Sequence, residues 1–386
     1  MKKTNKYITA AALCSTIMIG GLQVPSISYA ASNQSIVAPS TEAKLLEDFK
    51  RELKQKINNQ EENITLKYNA KESDARSVMN MLYQEYNKIV DADEYIKYNI
   101  ASTRYSIRGL PGNYTFTLHI SYRESKEQTQ YVKAQAKAIV NTIIKAGMDE
   151  HEKVKAIHDY VVKHVSYDTS YQAYTAYEAL ANRSAVCQGY TLLTYQLMQQ
   201  AGIQTRFVTG KGNGQAHAWN LVKIEGKWYH LDTTFDDPVP DKAGRVTYSY
   251  YNMTDEQMSK DHEWDRSKYP EATTNYYDEL INKIKAGSAK TAVYNQMLKD
   301  TNLVYLSTQY GANNYNELKQ KLQKEFAAKP QKVELRYKQS MDGTMQDINR
   351  ALNEISWPKG AKHVSYQVAP YSAMAGYSLA TITFTY

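Results

Sequence analysis

The chain has 386 residues, 47 Lys+Arg against 40 Asp+Glu, a formal net charge of +7 and only two cysteines. That length is enough for two or three compact domains, and two cysteines exclude a disulfide-built scaffold. The mild positive charge suits weak attraction to an anionic wall or membrane surface, the scattered lysines read as an ordinary solvated surface, and the clustered signature of a nucleic-acid binder is lacking.

The first segment in chain order reads as an export signal. Lys2, Lys3 and Lys6 form a positive start, residues 8–22 are mostly apolar, and Ser28-Tyr29-Ala30 ends in small residues suited to signal peptidase. The apolar stretch is shorter than the roughly 20 residues of a spanning helix. Residues 1–30 are therefore expected to be a signal peptide cut near Ala30, with an uncleaved anchor as the alternative. Cys14 raises a lipoprotein reading, but Leu13 before it and the apolar run after it fit that poorly. Cleavage removes three lysines and no acids, so Lys+Arg falls from 47 to 44 against 40 acids and the net charge to about +4. No second apolar run is long enough to span a bilayer, so the mature chain is expected to be secreted or wall-associated, without stable membrane insertion. It keeps one cysteine, Cys187. Oxidising compartments favour paired cysteines, so a lone thiol there points to reactive chemistry.

An internal repeat relates the two ends. Shifted by 269 residues, Phe49, Leu53 and Ile57 meet Leu318, Leu322 and Phe326 at helical spacing, and Ile64, Leu66 and Tyr68 meet Val333, Leu335 and Tyr337 in strand alternation. Each copy continues with a second helix (72–90 and 343–356) and a pair of strands. The unit is helix, strand, helix, strand, strand, and two copies are too few for a solenoid, so flanking modules are expected at 31–147 and 313–386. They carry no catalytic clustering and read as structural or binding parts. The 34 tyrosines, against 6 phenylalanines, suit grooves that hold glycan or peptide, or simply strands.

Between the repeats, 127–147 and 149–164 are helical, and 276–312 reads as a connecting helix and linker, leaving 148–275 as the central domain. There, Cys187 stands where a helix should start, with Ser184 as candidate cap and Leu192, Leu193, Leu197 and Met198 as its apolar stripe. The positive end of a helix favours thiolate, the nucleophilic form of cysteine. The alternative is a buried thiol acting as a small hydrophobe. Downstream, 216–224 and 227–233 alternate as strands around Glu225-Gly226, a tight turn. That register puts His217 opposite Thr234 and Asp232 opposite Trp219, so His217 and Asp232 are diagonal neighbours on one face. A carboxylate there can fix the imidazole tautomer while the other nitrogen meets a thiol.

The segments Val186-Cys187-Gln188-Gly189-Tyr190, Gly202-Ile203, His217-Ala218-Trp219-Asn220, Gly226-Lys227-Trp228-Tyr229 and Asp232-Thr233-Thr234-Phe235-Asp236-Asp237-Pro238 resemble the transglutaminase-like superfamily, with Asp255, Met258, Asp261 and His262 similar to its bacterial secreted branch. Ala185 departs from the glycine common in the family at that point. The resemblance, over about 151–274, implies a papain-like Cys-His-Asp core with Cys187 as nucleophile, His217 as general base and Asp232 as orienter. The expected fold class is thus α+β, a transglutaminase-like core flanked by two similar small α-βαββ modules. The family includes crosslinking enzymes, peptidases, amidases and members without the triad.

Gln188, Tyr190 and Trp219 are candidates to line the substrate site, Trp219 alternatively packing the hairpin. His151, His158 and His164 miss the i,i+4 spacing of a helical metal pair. Asp236, Asp237 and Asp241 lack the alternating oxygen ligands of a calcium loop, and no glycine-rich phosphate loop follows a strand. No metal or cofactor is expected. The reading is an exported thiol-dependent acyl-transfer enzyme acting on amide or peptide bonds of a protein, peptide or wall substrate. The alternatives are a non-catalytic cell-surface binding module with a retained triad, and a structural protein whose end modules bind wall.

Overall fold

The computed structural model describes residues 41–71, 74–237, 239–240 and 244–386; the expected export segment, 1–30, lies outside them. The N-terminal part comprises α1 (Thr41–Asn58), β1 (Asn63–Tyr68), α2 (Ala75–Asp91), α3 (Glu94–Asn99), β2 (Ile100–Leu110) and β3 (Asn113–Tyr122). Phe49, Leu53 and Ile57 recur every four residues, so α1 buries one stripe. Asp74 starts α2 by accepting the N–H groups of Arg76 and Ser77. The strands form an antiparallel sheet ordered β1-β3-β2. Alternate residues Tyr114, Phe116, Leu118 and Ile120 of β3 join Leu66 and Leu82 in one core, while the opposite face presents Lys67, Arg104 and Thr117.

The central region continues with α4 (Lys126–Ile143), α5 (Glu150–His164), β4 (Ser166–Tyr167), α6 (Ala176–Ala181), β5 (Ser184–Ala185), α7 (Cys187–Gln200), β6 (Thr205–Gly212), β7 (Gln215–Ile224), β8 (Lys227–Leu231), β9 (Tyr251–Met253), α8 (Asp255–Met258), β10 (His262–Trp264), α9 (Tyr276–Lys285) and α10 (Thr291–Asp300). Five strands build an antiparallel sheet ordered β10-β6-β7-β8-β9. Helix α7 packs on β6 and β7 and is wrapped by α4, α5 and α6. It buries residues on nearly every side, among them Tyr190, Leu193, Leu197 and Met198, as expected of a helix at the centre of a domain.

Two boundaries differ from the sequence reading. Helix α4 was expected in the N-terminal module, yet Val132, Ala136 and Val140 lie in the central core. The expected linker 276–312 begins with two helices whose Tyr276, Leu280, Tyr294, Met297 and Leu298 are buried in that same core. Of the lysines and glycine that suggested a linker, Gly287 lies between the two helices, at φ 73°. Apolar residues four apart outweigh such polar composition when a partner surface is available.

The C-terminal part contains β11 (Gly311–Ala312), α11 (Tyr315–Ala327), β12 (Lys332–Tyr337), α12 (Met341–Glu354), β13 (His363–Pro370) and β14 (Ser378–Thr385). Its sheet is ordered β11-β12-β14-β13, with β11 parallel to β12 and the other pairs antiparallel. Leu318, Leu322, Phe326, Val333, Leu335 and Tyr337 form its core with Ile348, Ile382 and Phe384. At both ends the last strand is internal: β3 lies between β1 and β2, and β14 between β12 and β13.

Glu124, 1% exposed, joins the N-terminal part to the central helices. It accepts hydrogen bonds from Tyr95 Oη (2.7 Å), Thr129 Oγ1 (3.0 Å) and the Tyr177 N–H (2.9 Å). Burial pushes its carboxyl up, against those three donors. Glu124→Ala strands the Tyr177 N–H and is expected to cost about 2–4 kcal/mol, read as a lower urea midpoint. Glu124→Gln should recover part of the loss.

Candidate active site

Helix α7 starts at Cys187, the first residue with helical geometry after Val186. Ser184, the expected cap, instead lies in β5, paired with Ser166 of β4, and Val186 provides no side-chain cap. The chain is held here by backbone: the Val186 N–H donates to Ala173 O at 2.8 Å and the Asp168 N–H to Ala185 O at 2.9 Å. Gly189 makes the tight entry feasible. A Cβ at that position would stand 2.6 Å from Ala185 Cβ and 2.8 Å from Thr175 O. The Cys187 thiol is half-buried.

The facing residue comes from β7. Strands β7 and β8 pair from Ile224↔Lys227 to Asn220↔Leu231, the register of a two-residue turn with Glu225 and Gly226 at φ 47° and 84°. β8 stops one residue before Asp232, shorter than expected, because the Asp232 side chain turns the chain. Its Oδ1 accepts the N–H groups of Thr234 (2.9 Å) and Phe235 (3.0 Å). Its Oδ2 accepts from His217 Nε2 at 2.6 Å. Asp232 is fully buried and its carboxyl sits well below the usual carboxylate range. Burial opposes this, but His217 and His262 outweigh it. Burial likewise disfavours charge on His217, yet the Asp232 carboxylate and then the Cys187 thiol raise the imidazole to about 10. With Nε2 on Asp232, Nδ1 is the ring nitrogen left for the thiol.

A residue not assigned a role from sequence completes the cluster. His262, on β10, places Nε2 3.2 Å from Asp232 Oδ2 and Nδ1 2.6 Å from Asp261 Oδ1. His217, Asp232 and His262 lie close enough to share a metal ion. The N–H groups of both rings are already spent on one carboxylate oxygen, so the cluster reads as a hydrogen-bond relay. The signal available in sequence was the Asp261-His262 pair, but a strand of three residues gives no periodicity to place it.

The three expected substrate-lining residues fare differently. Tyr190 is fully buried, with Oη donating to Asp237 Oδ2 at 2.5 Å. Trp219 is 1% exposed, donates from Nε1 to His230 Nδ1 at 2.9 Å, and lies against His217 with ring centroids 5.8 Å apart. Both support the site from behind and offer a substrate no surface. Gln188 is half-buried and donates from Nε2 to Tyr98 O at 2.9 Å. The aromatics on the thiol side are Tyr167, whose hydroxyl is raised to about 12 by burial and by Cys187, and Tyr171 and Tyr174, 59% and 36% exposed. Asp168 shapes their loop by accepting the N–H groups of Ser170, Gln172 and Ala173.

His158 and His164 serve the fold. His158 is fully buried between Asp236 (3.1 Å) and Asp159 (3.2 Å), and His164 Nδ1 bonds to Tyr160 O at 2.7 Å. Asp236 spends its carboxylate on His158 and the Tyr250 N–H; Asp241 lies outside the described residues.

Gly212 of β6 sets the clearance over the imidazole, since a Cβ there would lie 2.9 Å from Phe235 Cζ and 3.0 Å from His217 Cδ2. Gly212→Ala is expected to shift His217, lower Cys187 labelling several-fold and cost about 1–3 kcal/mol of stability, measured by thiol alkylation and thermal melting.

Residues 137–233 match the family model of the transglutaminase-like superfamily, so the centre of the chain carries a transglutaminase-like core. Among curated proteins, the chain is 25% identical over 180 residues to kyphoscoliosis peptidase of Mus musculus, covering 39% of this chain and 27% of that protein. It is 25% identical over 173 residues to that of Homo sapiens, covering 38% and 26%. The chain therefore spans about a quarter of the length of these relatives. Among solved structures, a putative cysteine protease from Cytophaga hutchinsonii is 15% identical, with 37% of this chain and 68% of that chain covered and a TM-score of 0.25.

Proposed function

We propose that this protein is a thiol-dependent acyl-transfer enzyme acting on amide or peptide bonds, with Cys187, His217 and Asp232 as its triad. The observation that carries this reading is the His217–Asp232 bond of 2.6 Å, with the Cys187 thiol acting on the same ring from the start of α7. Thiolate attacks the carbonyl carbon, and the backbone N–H of Cys187, at the start of α7, helps receive the oxyanion. The imidazolium gives its proton to the leaving amine, and a thioester remains. Water or an amine then takes the acyl group, which distinguishes a peptidase or amidase from a crosslinking enzyme. The loop carrying Tyr167, Tyr171 and Tyr174 forms the substrate rim, where rings can pack on a peptide and hydroxyls stay wet.

The protein is exported, on this reading, and its ends are two copies of one module that bind substrate or wall. The shared strand order and matching buried sets support that. Among the described residues no helix is long and apolar enough to cross a membrane. The test is a survey of peptides, glutamine donors with amines, and wall fragments, comparing the native chain with Cys187→Ala. Turnover that depends on Cys187 supports the enzyme. Equal activity in both, or wall binding with an unreactive thiol, favours the non-catalytic cell-surface module.

A further inference from the structure

Three side chains from separate elements converge at the far end of the hairpin, about eight strand residues or roughly 26 Å along β7 from His217. They are His151 in the first turn of α5, Glu225 in the β7–β8 turn and Glu279 in α9, and one ligand-type atom of each lies within 4.8 Å of the other two. His151 is 1% exposed. Its Nδ1 is 3.2 Å from Tyr276 Oη. Among the described residues no group lies within hydrogen-bond distance of its buried Nε2, and Glu225 Oε1 is 3.8 Å away. Burial holds the imidazole below its ordinary value, although Asp149, Glu225 and Glu279 pull it up and Lys283 down. With the ring proton on Nδ1 toward Tyr276, Nε2 presents a lone pair, and so do the carboxylates. Three acceptors facing one another call for a cation between them.

We propose that His151, Glu225 and Glu279 form a divalent-metal site, suited to Zn2+, that fastens the hairpin turn to α5 and α9. One imidazole and two carboxylates are a zinc donor set, with the fourth position left to water. Lys283 holds Glu225 Oε2 and Lys227 holds Glu279 Oε2, each at 2.5 Å. Each carboxylate thus has an outer partner that fixes it and keeps a second oxygen for the ion, as ligating carboxylates commonly do. The same two ammonium groups weaken attraction for a cation, so the affinity is expected to be micromolar. The turn positions one end of the strand that carries His217, which gives the ion a role in stability and none in the chemistry.

The test uses the full chain carrying Cys187→Ala, which removes the competing thiol, titrated with ZnCl2 by calorimetry and followed by Tm. One ion per chain with a raised Tm is expected. Glu225→Gln and Glu279→Gln should each weaken binding by at least about 10-fold. The Glu225 side chain is 40% exposed, so its variant should fold; circular dichroism checks this. No saturable binding would overturn the proposal. Equal affinity in both variants would also overturn it, and loss of that binding in His262→Gln would place the ion at the Asp232 cluster.

Discussion

Cys187→Ala is expected to reduce turnover by roughly 10^4-fold or more while leaving Tm nearly unchanged. The thiol is half-buried at the first residue of α7, and the packing of that helix rests on Tyr190, Leu193 and Leu197. The native thiol should also react with iodoacetamide at pH 6 about 10-fold faster, or more, than free cysteine. A positively charged imidazole is the neighbour that reactive cysteines commonly have, and His217 is held up at about 10. His217→Ala should remove this advantage. Labelling no faster than free cysteine, with the native fold intact, would sink the catalytic reading without reference to any substrate.

The second large effect belongs to Asp232→Asn. The amide cannot stabilise an imidazolium, and it allows the wrong tautomer, so the rate should fall by about 10^4-fold. Stability should change with a definite pH signature. Asp232 is held below its ordinary value, so its contribution is complete above pH ~4 and lost as pH falls further. His217 is raised to about 10, so its contribution is complete below pH ~6.5 and fades as pH rises toward 10. These are two sides of one ion pair and are counted once. The native protein should therefore be most stable between pH ~4 and ~6.5 and lose a few kcal/mol, at roughly 1.4 per pKa unit, on the way to pH 10. In Asp232→Asn that alkaline slope should flatten. Urea unfolding at pH 6 and 9.5 measures both, and an unchanged slope would contradict the pairing.

What could be read in the sequence was local. Glu225-Gly226 specifies its own turn, and a two-residue turn sets the register back to Asn220↔Leu231. Counting thus brought His217 and Asp232 near each other, although the ladder ends before the expected pairs His217–Thr234 and Trp219–Asp232. The apolar stripe 49, 53, 57 and the alternation 64, 66, 68 are likewise written in short spacings. Ser184 misled because capping preference is local, whereas its position is set by pairing with Ser166, far from it in sequence. Tyr190 was a groove candidate and Trp219 either that or hairpin packing, because such rings can serve either place, and only the packing around α7 and β10 settles which. His262 and the tyrosine loop at 167–174 reach the site through non-local contacts that no window of sequence displays.

The hydrogen bond from Gln188 to Tyr98 O links the residue after the nucleophile to the N-terminal part, where Glu94 also binds Arg206 and the Phe207 N–H across the joint. A load pulling on residues 41–122 would be shared among the Glu94 bonds to β6, Glu124 and the Gln188 bond in the first turn of α7. If the N-terminal part is anchored to a wall or a partner chain, tension on the anchor and the reactivity of the thiol become one mechanical system.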